Sequence, residues 1–134
     1  GLAKASLEKY EESIEDYDQA IRLNSEYTQA YHNRGLAKAN LKKHEEAITD
    51  YTKTIELNDQ YVKAYNNRGI AKAELKLFED AIIDYDEAIR IDETDAAAFY
   101  NRGLAKAALE QVEDSIKDFD KSIQLNPDFK KMKE

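Results

Sequence analysis

Apolar residues recur along this chain at three- and four-residue intervals, over Ala30, Tyr31, Ala37 and Leu41 and then over Ala47, Ile48, Tyr51, Ile55 and Leu57. That spacing places them on one side of a 3.6-residue helix, so the stretch predicts two consecutive amphipathic helices. The same pair of patterns then returns. Gly1, Gly35, Gly69 and Gly103 stand 34 residues apart, and NRGLAKA at 33–39 is repeated as NRGIAKA at 67–73 and NRGLAKA at 101–107. Such a period is the mark of one helical hairpin stacked on copies of itself.

Between units lie LNSEYT at 23–28, LNDQYV at 57–62, IDETDA at 91–96 and LNPDF at 125–129, rich in turn formers and holding the only proline, Pro127. Inside a unit the turn is less marked, because LEKYEE, LKKHEE, LKLFED and LEQVED contain neither Gly nor Pro. Acidic pairs at Glu11 and Glu12, Glu45 and Glu46, Glu79 and Asp80, and Glu113 and Asp114 suit the start of a second helix, where the macrodipole favours negative charge. A turn without a breaker also leaves open a straightened hairpin, for example one helix from Leu36 to Leu57, exchanged with a neighbouring chain.

The expected organisation is a single array over residues 1–134: a partial unit at 1–27, units at 28–61, 62–95 and 96–129, and 130–134 as a tail or the start of a further unit. The first helix is then about half length, and Ile116, Phe119 and Ile123 show apolar surface. An excised or engineered array fits that picture, as does head-to-tail self-association.

Charge and composition narrow the chemistry. With a net charge of −8 and dispersed lysines the chain repels a nucleic-acid backbone, and the basic run KKMK at 130–133 reads as a solvated end. No apolar run is long enough for a membrane, which predicts a soluble, cytoplasmic protein. There is no cysteine, and His32 and His44 are the only histidines, on different segments, so no metal site and no cofactor is expected. No serine has a companion histidine at a motif spacing and no carboxylate pair is isolated, so the chain reads as a non-enzyme.

The 34-residue hairpin resembles the tetratricopeptide repeat (TPR), whose pattern has an aromatic four residues before the Gly, an Ala twelve after it and an aromatic four further on. Tyr31, Gly35, Ala47 and Tyr51 match, as do Tyr65, Gly69, Ala81 and Tyr85; Phe99, Gly103 and Phe119 match with Ser115 as the small residue. The resemblance implies an all-α, right-handed superhelical solenoid of antiparallel helix pairs. Glycine in mid-helix costs about 1 kcal/mol against Ala, so close approach of two helices must offset it. The small residues Ala37, Ala71 and Ala105, facing Ala47, Ala81 and Ser115, are the expected seam.

Two columns depart from the family: Arg34, Arg68 and Arg102 just before the Gly, and Lys4, Lys38, Lys72 and Lys106 three after it. Asp16, Asp50, Asp84 and Asp118 recur on the second helices. A structural ladder of Arg–Asp pairs is expected, Arg68 having a choice of Asp84 or Asp50, because a partly buried guanidinium must be paired.

The family also implies that the leading helices line a concave face that accepts a protein or peptide partner. Helical geometry groups Gln29, His32, Asn33 and Leu36; then Lys63, Asn66, Asn67 and Ile70; then Tyr100, Asn101 and Leu104 on that face. Asn33, Asn67 and Asn101 form an expected ladder, each amide offering a donor and an acceptor to an extended backbone. Leu36, Ile70 and Leu104 would receive apolar side chains between the rungs. The family's two-carboxylate clamp is not expected: Asn33 and Lys63 suit it, but Asn67 stands where it needs Arg and Leu2 where it needs Asn.

Overall fold

The computed structural model describes residues 2–129, with side chains from Ser6 onward. Expectations placed on Gly1, on the side chains of Leu2 and Lys4, and on 130–134 lie outside the described residues. Among the described residues seven helices follow one another: α1 (Leu2–Leu23), α2 (Thr28–Asn40), α3 (His44–Leu57), α4 (Val62–Glu74), α5 (Phe78–Ile91), α6 (Ala96–Ala108) and α7 (Val112–Leu125). The architecture is an all-α solenoid in which each helix packs on its neighbours in sequence.

The turns between units form for a local reason. Asn24, Asn58, Asp92 and Asn126 each accept, through Oδ1, the backbone N–H of the residue two positions on, at 3.0–3.1 Å. An Asx turn of this kind offers the backbone an alternative to the helix. Tyr31 and Tyr65 reinforce it, their hydroxyls donating to the carbonyls of Ser25 and Asp59.

The turns inside units are closed differently. Lys42, Lys76 and Glu110 adopt left-handed backbone with φ of 62°, 64° and 64°. The next residue's N–H, on Lys43, Leu77 and Gln111, returns to the carbonyls of Lys38, Lys72 and Lys106 at 2.8 Å. This is a Schellman closure whose left-handed position ordinarily belongs to glycine. Acidic pairs occupy the first turns of α3, α5 and α7 as their charge requires.

The first unit departs from expectation. Instead of a half-length helix followed by a second one, α1 runs unbroken through 22 residues, with Glu11 and Glu12 in its interior. Glu8, the counterpart of Lys42, stays helical there. No breaker in LEKYEE stops the helix, and propagation needs only one further bond per residue. The hairpin at 36–57, by contrast, is bent and not straight.

Curvature follows from the contacts. Helix α2 touches α4 and α4 touches α6 directly, whereas the trailing helices make at most marginal contact with one another. The leading helices therefore occupy the inner row. At the far end Ile116 is 46 % exposed, while Phe119 and Ile123 are half-buried, Phe119 lying against Tyr100.

Candidate peptide groove

Each leading helix carries two adjacent recurrent polar columns, and the structure treats them differently. Arg34 grips Asp50 with two bonds of 2.9 and 2.7 Å, Arg68 grips Asp84 at 3.0 and 2.7 Å, and Arg102 grips Asp118 at 2.9 and 2.7 Å. The chosen partner is thus the aspartate of the same hairpin. The remaining guanidinium nitrogen reaches back to the preceding hairpin, at Asp18, Thr52 or Asp86, two positions beyond the alternative considered for it. Lys38, Lys72 and Lys106 complete the cluster at 3.0–3.2 Å from the same aspartates. Those carboxylates are buried, so two cations each offset their desolvation. The Asp50 hydrogen bonds, above all, hold the Arg34 guanidinium firmly in its charged form. Asp16, exposed on α1, has no such partner among the described residues.

The repeated glycines serve an aromatic ring more than a seam of alanines. A Cβ on Gly35 would lie 2.7 Å from Tyr51, on Gly69 2.5 Å from Tyr85, and on Gly103 2.8 Å from Phe119. Ala47 and Ala81 are fully buried beside those rings. The expected close approach is present, but its tightest contact is ring on backbone, because Tyr51 and Tyr85 are about 1 % exposed and have nowhere else to go.

On the inner row the structure brings Leu36, Asn67 and Ile70 together around one cavity and Ile70, Asn101 and Leu104 around the next. Gln29 and Lys63 are exposed, and Asn33 is half-buried. Ile70 and Leu104 are open to an incoming side chain, at 39 % and 47 % exposure.

His32 and Asn66 are not available to a ligand as expected. Both are buried at the joints between hairpins. The His32 ring lies against those of Tyr51 and Tyr61 and receives the Asn67 amide at 3.0 Å. Burial, and secondarily the charge on Lys63, push its pKa down to about 4. Asn66 donates to Asp95, which caps α6 through the N–H of Ala98. Tyr100, half-buried, stacks on Phe129 at the third joint. The column packs against the Tyr61, Asp95 and Phe129 column one unit on, a partnership visible in the sequence as positions 29 apart. Sequence reasoning missed it, along with the lysine in each ion cluster. Among the described residues no group of side chains is arranged to hold a metal ion, and no helix is long and apolar enough to cross a membrane.

A tetratricopeptide repeat model matches residues 28–61, 62–95 and 96–129, and a second TPR repeat model matches residues 1–42. The chain belongs to the tetratricopeptide repeat family. Among curated proteins no sequence matches it. Solved structures similar to this TPR array include that of MamA, with a TM-score of 0.86 at 20 % identity over 93 % of this chain and 73 % of that one. The TPR domain of Arabidopsis OM64 superposes with a TM-score of 0.74 at 30 % identity, over 75 % of this chain and 84 % of that one. The first TPR of Spaghetti (RPAP3), solved bound to the HSP90 peptide SRMEEVD, gives 0.74 at 28 % identity over 78 % and 82 %.

Proposed function

We propose that this TPR array is a non-catalytic interaction scaffold that takes an extended peptide along its inner row. Its floor is the ladder of Asn33, Asn67 and Asn101, with Leu36, Ile70 and Leu104 receiving side chains between the rungs. The observation that carries the reading is that Asn67 and Asn101 line consecutive cavities on the inner row, each beside an aliphatic residue. Asn67 uses its amide N–H on His32, which orients the side chain and leaves the carbonyl oxygen for a peptide N–H. Repetition along the inner row matches the repetition of a peptide backbone, a general property of concave solenoid surfaces. That the similar RPAP3 domain was solved with a peptide supports peptide binding by this array.

A random-peptide library selected on the wild type and rescreened on an Asn67→Ala, Asn101→Ala double variant tests this. Loss of at least about tenfold in affinity, roughly 1.4 kcal/mol, is expected; binders indifferent to both substitutions would refute it. A second reading, head-to-tail self-association, draws on Ile116, exposed where its counterparts Ile48 and Ile82 are packed against the next hairpin. Sedimentation over a range of concentrations tests that one, and a constant monomer mass rejects it.

A further inference from the structure

The two cavities of the inner row stand at equivalent places in successive junctions, and their differences specify a ligand. The first is about 470 Å³ and is lined by Leu36, Ile70 and Ala71 together with Lys42 and His44. The second is about 190 Å³ and is walled by Phe78, Tyr85 and Leu104, Phe78 replacing His44. Glu74 belongs to the wall of both. It is exposed, and among the described residues no cation lies within salt-bridge distance, unlike Asp84 on α5, which holds Arg68 and Lys72. Its counterparts in the neighbouring units are Asn40 and Ala108, so the carboxylate is a feature of this junction and not of the repeat.

We infer, resting on the peptide reading of the groove, that the ligand is a basic segment. Two aliphatic side chains three residues apart fill the two cavities, and a lysine or arginine between them pairs with Glu74. Apolar surface entering the cavities supplies the favourable burial, and an unpaired carboxylate between them selects the sign of the intervening charge. Lys42 lines only the larger cavity and repels a cation there, whereas Glu74 lines both, which favours a positive charge beside Glu74. The spacing is that of a polyproline II backbone, whose turn of three residues rises about 9.3 Å, close to the roughly 8–10 Å between packed helices. A fully extended strand would turn residues three apart to opposite sides. The net charge of −8 also steers a cationic segment toward the array.

Three fluorescent peptides test the inference: repeats of leucine–lysine–proline, of leucine–glutamate–proline and of leucine–glutamine–proline, titrated by polarisation at low and at physiological salt. The lysine peptide is expected to bind at least about tenfold more tightly than the glutamate peptide. Glu74→Lys should abolish that preference, while Glu113→Lys, the same change of net charge at the exposed start of α7, should leave it within about twofold. Equal or tighter binding of the glutamate peptide overturns the inference. So does an equal loss in both variants, which would trace the preference to the charge of the whole array, and so does binding of none of the three. If all three bind alike and all weaken in Asn67→Ala, the basic segment is wrong and the groove stands; the groove itself falls only by the library screen.

Discussion

Arg68 and Asn67 are neighbours on α4 and both recur in the units at 28–61 and 96–129, yet they end in opposite conditions. Arg68 is held by its own chain through all three guanidinium nitrogens: two bonds to buried Asp84, a third to Thr52 and the Tyr65 ring beneath its guanidinium. Asn67 makes one side-chain bond, to His32, and lines an open cavity. A recurrent polar column is therefore structural when it is bonded to a buried partner inside the fold and is a candidate for recognition when it lines an open cavity with capacity left over.

The strongest way to break the comparison is to strip the Arg–Asp column. Asp84→Ala leaves Arg68 and Lys72 facing a buried gap and is expected to destabilise the array by about 3–5 kcal/mol, read as a fall in the urea midpoint. Asp16→Ala, in the same column but exposed on α1, should change stability by less than about 0.5 kcal/mol. Gly69→Ala comes next. Its Cβ would sit 2.5 Å from the Tyr85 ring, and overpacking of about 1–3 kcal/mol should outweigh the gain of about 1 kcal/mol in helix propensity.

A titration sharpens the contrast at the joint that Asn67 helps to form. His32 has a folded pKa of about 4, below the unfolded value of about 6.5, so the unfolded chain binds the extra proton between the two. Its contribution is complete above about pH 6.5 and is lost as the pH falls toward 4, amounting to about 1–2 kcal/mol. His32→Phe should flatten that part of the pH–stability curve relative to the wild type, leaving the slope due to carboxylates. The smallest effect has two signs. Lys76→Gly relieves a left-handed residue at φ 64° and should stabilise by up to about 1 kcal/mol, whereas Glu8→Gly, inside α1, should destabilise by about the same amount.

That last pair shows where the sequence was legible and where it was not. The 34-residue period, the Asx turns at Asn24, Asn58 and Asp92, and the pairing of the Arg and Asp columns could be read because each depends on residue types at fixed spacing. The inner turns could not be read fully: LKKHEE bends at Lys42 and LEKYEE stays helical at Glu8, with closely similar local chemistry. What differs is tertiary. The bent hairpins have a glycine–aromatic contact and an Arg–Asp clamp across the two helices, and these override local preference. His32 and Asn66 were assigned to the groove because helical periodicity gives a face but not the depth at which the next hairpin covers it. Asn67 and Asn101, one position further round the helix, escape that cover.

The most direct measurement follows side-chain resonances while the tightest library peptide is titrated into labelled protein. The account predicts that the carboxamide signals of Asn33, Asn67 and Asn101 and the methyls of Leu36, Ile70 and Leu104 shift together. The Nε–H signals of Arg34, Arg68 and Arg102, each already donated to an aspartate, should stay in place. Shifts confined to the arginines, or to outward residues such as Ile83, with the asparagine amides unmoved, would contradict it.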